Sequence, residues 1–301
     1  MIISEQLSTL LTPVIYHHFD LGVNMVPSMR SALFNVQGSL LAEEKGTGIG
    51  GMSPDAWNQY EASGRPGTLD VDEQYSKTYT HIEYPVRLPL EKKLLLNDQY
   101  GQVQKLVQRA GISAEQKMEI DAAGLLNNAF DATAQPGGDA VALCSDSHPV
   151  SPHDSSSTYD NYGTSALTKD AVKDTRVAMM RFKDDIGNEI GVMPNELWVP
   201  PELEDAALEI AESVLDPASG NNAINPQSGR FRVIPWLRLS DTNAWFMADG
   251  MWRNQTVNWY NREALQVMVV DETTTHIVYE LKLHYSFGFD DWRWIYGHNP
   301  S

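Results

Sequence analysis

His276-Ile277-Val278-Tyr279-Glu280-Leu281-Lys282-Leu283-His284-Tyr285-Ser286-Phe287-Gly288-Phe289 carries the strongest pattern in the chain. Ile277, Tyr279, Leu281, Leu283, Tyr285, Phe287 and Phe289 are apolar, and His276, Glu280, Lys282, His284 and Ser286 alternate with them; Val278 is the exception. Successive side chains of a strand point to opposite faces, so this period predicts one long strand with one buried face. At about 3.3 Å per residue it spans roughly 40 Å, where a typical strand has about five or six residues.

Working upstream, Ala264–Val270 reads as its strand partner, joined through the turn-like Asp271-Glu272-Thr273-Thr274. Phe231–Leu239 and Glu196–Pro200 read as shorter strands. Pro201 suits the first position of a helix, where a missing N–H costs little, and that helix is expected to run to about Leu215. Ala218–Gly229 is a polar loop. Thr168 caps a helix expected to reach Ile186, with Val172, Thr175, Met179 and Phe182 on one side. Residues 131–167 are loop-rich. Before them, Val103, Leu106, Val107, Ala110, Ala114 and Met118, then Ala122, Leu125, Leu126 and Ala129, follow helical spacing. Asn97 or Asp98 is the expected cap. Gly111 interrupts the stripe at a cost of about 1 kcal/mol against Ala, so either one long helix or two broken near Gly111 is compatible with it.

Ile82, Tyr84, Val86, Leu88 and Leu90 alternate with polar residues and with Pro85 and Pro89. Prolines cannot donate to a ladder, so residues 79–90 form an edge or protruding strand, part of an exposed two-stranded excursion over about 52–92. Residues 1–50 show no sustained period, contain Pro13, Gly22, Pro27 and Gly38, and end in the glycine cluster Gly46–Gly51, which reads as a hinge. Two readings stay open there: an arm that packs on a neighbouring subunit, or a short helix and loop docked on its own domain.

The net charge is −18, from 22 basic and 40 acidic residues. Phosphate contacts need Lys and Arg, so sequence-specific nucleic-acid binding is disfavoured. From Asp184 to Gly229 there are ten acids and no Lys or Arg; this is either a solvated face or a surface that repels packed DNA. No stretch approaches the roughly 20 apolar residues of a membrane helix, and Met1–Leu11 lacks the pattern of a signal peptide. The single cysteine, Cys144, excludes an intrachain disulfide.

Candidate chemistry is sparse. Cys144-Ser145-Asp146-Ser147-His148-Pro149 gathers nucleophiles and a base, but triad members meet through folding and are rarely packed into one pentapeptide. Turn chemistry with a structural His148 is the expectation, and a hydrolase using Ser145 and His148 is the rival. His17 and His18 are adjacent, and His148 and His153 lack a familiar metal spacing. The expectation is therefore no catalytic residue, no cofactor and no metal site. Trp236, Trp245, Trp252, Trp259, Trp292 and Trp294 crowd the last third, as core or as interface.

The order of an arm, an extended hairpin, a long helix, a mixed region and a long returning strand resembles the major capsid proteins of tailed bacteriophages, the Hong Kong 97-type α+β fold in its Mu-like branch. Asp121–Phe130 resembles the end of that family's spine helix, and Leu143–Pro149 the turn after it. Leu197–Leu203 is similar to the strand that enters an A-domain helix, and Ser286–Arg293 with Tyr296-Gly297 resembles the family's C-terminus. The resemblance covers about residues 65–298. It implies an N-terminal arm (1–51), an E-loop (52–92), a P-domain (93–165 and 255–301) and an A-domain (166–254). It implies no enzyme but a virion protein, made in the host cytoplasm, whose copies join as pentamers and hexamers into an icosahedral shell enclosing double-stranded DNA. Scaffolding, portal and decoration proteins are the further partners. An encapsulin-like nanocompartment shell and a tail-tube or connector protein are the other symmetric assemblies to weigh.

Overall fold

The computed structural model describes residues 4–57, 64, 66–69, 73–96, 101–215 and 223–300. In chain order its helices are α1 (Ser4–Val23), α2 (Arg30–Leu33), α3 (Lys92–Leu96), α4 (Gln102–Asn127), α5 (Lys169–Met180), α6 (Glu204–Glu212) and α7 (Gly250–Thr256). The strands are β1 (Asn35–Gly38), β2 (Glu43–Ile49), β3 (Glu73–Thr80), β4 (Ile82–Glu91), β5 (His148–Ser151), β6 (Asp154–Tyr159) and β7 (Tyr162–Gly163). They continue with β8 (Glu196–Val199), β9 (Arg232–Pro235), β10 (Trp245–Ala248), β11 (Val257–Glu272), β12 (His276–Phe289) and β13 (Ile295–His298). The chain divides into two compact units, Met1–Glu44 with Tyr79–Ala122 and Trp259–Phe287, and Lys45–Thr78 with Ala123–Asn258 and Gly288–Ser301.

The first unit is built on the sheet β1-β11-β12-β4. Ile277, Tyr279, Leu281, Leu283 and Tyr285 of β12 are all buried, as the alternation requires. β4 runs antiparallel to β12 from Ile82 opposite Tyr285 to Glu91 opposite His276, and it is an edge, as Pro85 and Pro89 dictate. This corrects the excursion expected over 52–92. Residues 82–91 belong to the sheet, and the two-stranded ribbon is instead β2 with β3. Periodicity identifies a strand but not its partner.

Of the two readings of residues 1–50, the packing supports the helix docked on its own domain over the arm free of it. In α1, Ile15 and Phe19 are buried in one cluster with Val103 and Val107 of α4, Leu90 of β4, and Ile277 and Tyr279 of β12. Helix α4 is continuous through Gly111, where α1 crosses it. Downstream, Ser28 Oγ, Met29 N and Arg30 N all donate to the carboxylate of Glu119, and Arg30 pairs with Glu115 at 3.3 Å. Phe34 lies edge-on to Trp259, itself stacked on Phe287 at 4.9 Å.

The second unit carries the sheet β7-β13-β10-β8-β9. β10 is antiparallel to β8 and β13, while β8–β9 and β13–β7 are parallel. All four residues of β8 are buried, Leu197, Trp198 and Val199 as core and Glu196 in an ion pair with Arg253. Thr168 caps α5 through Ala171 N, but α5 stops at Met180, short of the expected Ile186. α6 ends at Glu212, Pro201–Leu203 forming a 3₁₀ turn before it. The expected strand at 231–239 shrinks to β9, and β11 starts seven residues earlier than Ala264. The proposed cap at Asn97 or Asp98 lies outside the described residues, as does Ala218–Asn222 of the polar loop.

Candidate assembly surfaces

The ribbon grows from the glycine cluster that reads as a hinge. A Cβ on Gly48 would come within 2.9 Å of Gln74 Cβ, so glycine lets β2 and β3 approach there. The root is fixed to its own unit. Asp185 accepts from Gly51 N and, at 2.8 Å, from Gln74 Nε2. Tyr75 OH donates to Ser151 O at 3.0 Å. Lys77 Nζ donates to Pro136 O at 2.8 Å and sits 4.8 Å from the Phe289 ring centre. Burial lowers the Lys77 pKa against the opposing pull of Asp290 and Asp139. Lys77 is thus part of the root.

Among the described residues between β2 and β3, several apolar side chains are exposed. Trp57 is 82% exposed, and Met52 and Leu69 are also exposed. In the first unit Leu40, 94% exposed, and Leu41 lie between β1 and β2. Large exposed aromatic and apolar side chains such as Trp57 and Leu40 are candidates for contact with another chain.

The turn weighed as a catalytic site is packed tight. His148 is fully buried, its Nδ1 2.7 Å from Asp139 Oδ2 and its ring stacked 4.4 Å from Trp292. Ser145 Oγ and Ser147 Oγ bond each other at 3.0 Å. Asp139, not either serine, holds the imidazole. Cys144 is buried and its thiol pKa is pushed up by that burial, the reverse of what a nucleophile needs. His17 and His18 meet edge to face at 5.5 Å. Among the described residues no three His, Cys, Asp or Glu side chains gather in a way that could hold a metal, and no helix is long and apolar enough to cross a membrane.

The acidic run is divided. Glu196 is buried in a pair with Arg253, Asp184 and Asp185 organise their own loop and the ribbon root, and Glu202, Asp205 and Glu212 are exposed on and before α6.

Comparison with known proteins bears on this arrangement. A phage capsid protein family profile matches residues 78–297. The chain belongs to the phage capsid protein family. Among solved structures, a Mycobacterium phage Patience chain aligns with TM-score 0.58 at 10% identity, covering all of this chain and 90% of that one. A chain from the capsid of a native GTA particle gives 0.57 at 14% identity, covering 92% and 91%. A chain from the decorated capsid of bacteriophage JBD30 gives 0.54 at 16% identity, covering 71% and 92%. Comparison with curated protein sequences gives no match. The Hong Kong 97-like α+β fold implied by the sequence resemblance therefore holds, and so does the role of major capsid protein. This capsid protein is a structural subunit that assembles with its own copies and resides in the virion.

The long strand, the spine helix and the capped α5 were all found from sequence. The exposed Trp57 was missed. Its signal is one bulky aromatic among Asp55, Asn58 and Gln59, in a stretch with no apolar period to bury it.

Proposed function

We propose how the capsid protein builds its shell. Copies join as pentamers and hexamers. The N-terminal stretch serves as arm, the β2–β3 ribbon with its connection as E-loop, 93–165 with 255–301, joined by β4, as P-domain and 166–254 as A-domain. Two adjustments follow from the packing described above. The E-loop ribbon begins upstream at β2, and α1 works as a fixed part of the P-domain, which leaves the stretch around Leu40 and Leu41 as the free part of the arm. The subunit is made in the host cytoplasm, and scaffolding, portal and decoration proteins complete the particle. Double-stranded DNA is enclosed without sequence-specific contact, consistent with a net charge of −18. In this reading no catalytic, cofactor or metal site is assigned among the described residues.

The exposed Trp57 on a tethered ribbon is the observation that carries this reading. Each clasp is modest, but a subunit held by several neighbours gains avidity. Negative-stain microscopy of the purified chain, with and without the products of its neighbouring genes, should show icosahedral shells. Tubes, single rings or persistent monomers would overturn the proposal, and co-purifying enzyme cargo in place of DNA would favour a nanocompartment. Trp57→Asp should lose shells while keeping the melting profile of the free subunit.

A further inference from the structure

In the first unit a network of polar side chains surrounds His81, which lies between β3 and β4. Ser39, the residue after β1, is buried. Its Oγ donates to Glu44 Oε1 at 2.5 Å and accepts from Leu41 N at 3.2 Å. The single hydroxyl proton of Ser39 is thereby used, so His81 Nε2, 3.3 Å away, is the donor in their contact. In the neutral ring Nδ1 then carries no proton and accepts from the buried Ser286 Oγ of β12 at 2.9 Å. The imidazole thus joins the 39–44 turn to β12. The same turn holds Leu40 and Leu41 out to solvent.

The surroundings disfavour a second proton on that ring. Arg262 of β11 and His284 of β12 act on it as neighbouring cations, the His284 ring edge-on with its centre 5.8 Å away. Glu44 opposes them from the turn. Glu83 and Glu263 stand 3.8 Å from His284 Nδ1 and share Lys282. A proton on His81 Nδ1 would also force Ser286 Oγ from donor to acceptor. Burial, His284 and Arg262 together lower the His81 pKa, against Glu44 and a hydrogen bond to the Leu41 backbone.

We propose that His81 is an acid-released catch on the turn that presents Leu40 and Leu41. The neutral ring clamps residues 39–44 against β12, and the protonated ring favours the lifted turn. The open form takes up the proton at higher pH than the closed one. The catch therefore holds above about pH 6.5 and weakens as pH falls below it. The use of such a device rests on the shell reading above, in which this stretch is the free part of the arm: acid would detach it from its own subunit. The catch itself is a property of the lone chain and is tested without shells.

Hydrogen exchange of the unassembled full-length chain reads the catch directly. Ser39 N donates to Asn261 O and Leu41 N to Ser39 Oγ, so both amides are protected while the turn is closed. Their exchange, divided by the intrinsic rate at each pH, gives the opening constant of the turn. Amides of β12 are the reference, because global unfolding exposes them as well. Relative to β12, opening of the turn should rise about tenfold from about pH 7 to about pH 5, each pH unit giving at most a factor of about ten for one proton. His81→Gln keeps an N–H donor but cannot titrate, and should flatten the rise. Glu44→Gln removes the opposing charge and should steepen it, whereas Arg262→Gln should make it shallower. A turn whose opening does not change with pH, an undiminished rise in His81→Gln, or the reverse order for Glu44→Gln and Arg262→Gln would each overturn the inference.

Discussion

Gly22 of α1 and Gly111 of α4 face each other where the two helices cross. A Cβ on Gly22 would stand 2.1 Å from Gln108 O, and one on Gly111 2.2 Å from Phe19 O. Gly111 is read from sequence as a candidate helix breaker, yet α4 runs straight through it. Its missing side chain is used for approach between backbones.

That relation reverses the ordinary sign of a substitution. In an exposed helix Gly→Ala gains about 1 kcal/mol. Gly124→Ala, in the same helix with its nearest neighbour atom 3.8 Å away, should follow the rule and be neutral or stabilising. Gly111→Ala should instead cost about 1–3 kcal/mol, as overpacking does, because the atom in its way is backbone. Urea denaturation of the unassembled subunit measures both. A stabilised Gly111→Ala would show that the helices can part freely.

Glu196 and Arg253 form a buried pair in the second unit. Arg253 Nε lies 3.0 Å from Glu196 Oε2 and Nη2 3.2 Å from Oε1, and Trp198 Nε1 donates to the same carboxylate at 3.1 Å. Breaking one side of such a pair strands a charge, at about 3–5 kcal/mol. Glu196→Gln should show that loss in a denaturation midpoint. Glu196→Gln combined with Arg253→Met should recover much of it. If the double variant were as unstable as the single, the stranded guanidinium would not be the cause.

His298 predicts an acid sensitivity. Its ring stacks on Trp245 at 4.2 Å. Thr175 Oγ1 donates to Ala171 O, so it accepts from His298 Nε2 at 2.7 Å, and His298 Nδ1 accepts from Ser165 N at 3.3 Å. Both nitrogens are therefore satisfied in the neutral ring, and a proton on Nδ1 would confront an N–H. Burial lowers the pKa from 6.5 to about 4. The unfolded chain thus takes up this proton at higher pH than the folded one, and stability falls as pH drops from about 6.5 toward 4. The full effect is about 3 kcal/mol, at about 1.4 kcal/mol per pH unit. His298→Gln should flatten that part of the stability–pH curve relative to the unaltered chain. Parallel curves would remove His298 from the account.

What the sequence disclosed followed how local the determining forces are. The β12 alternation and the Thr168 cap depend on residues a few positions apart, and both were legible. Asp185 at the ribbon root was not, because Gly51 and Gln74 are reached only by folding. The glycine cluster became strand β2 because Gln74 packs where a Cβ would sit, a condition no local pattern encodes. The His148 turn was legible from Pro149 beside it, while at the assembly surfaces the outlying Trp57 gave no period to follow.

The N-terminal helix illustrates the same limit and yields the last prediction. Pro13 and Gly22 blur the period of α1, and only Ile15 and Phe19 among its described side chains are buried. Such a helix is held by tertiary packing more than by propensity. An arm that merely reached to a neighbour could lose Phe19 with no cost to the lone subunit. A helix seated on Val103, Val107 and Tyr279 cannot. Phe19→Ala should cost the unassembled subunit about 3–5 kcal/mol. Tyr16→Ala, on the exposed side of the same helix, should change it by about 0.5 kcal/mol or less. Equal, small effects from both would restore the detached arm; a large effect from Phe19→Ala alone makes α1 a piece of the subunit's own core, present before any neighbour arrives.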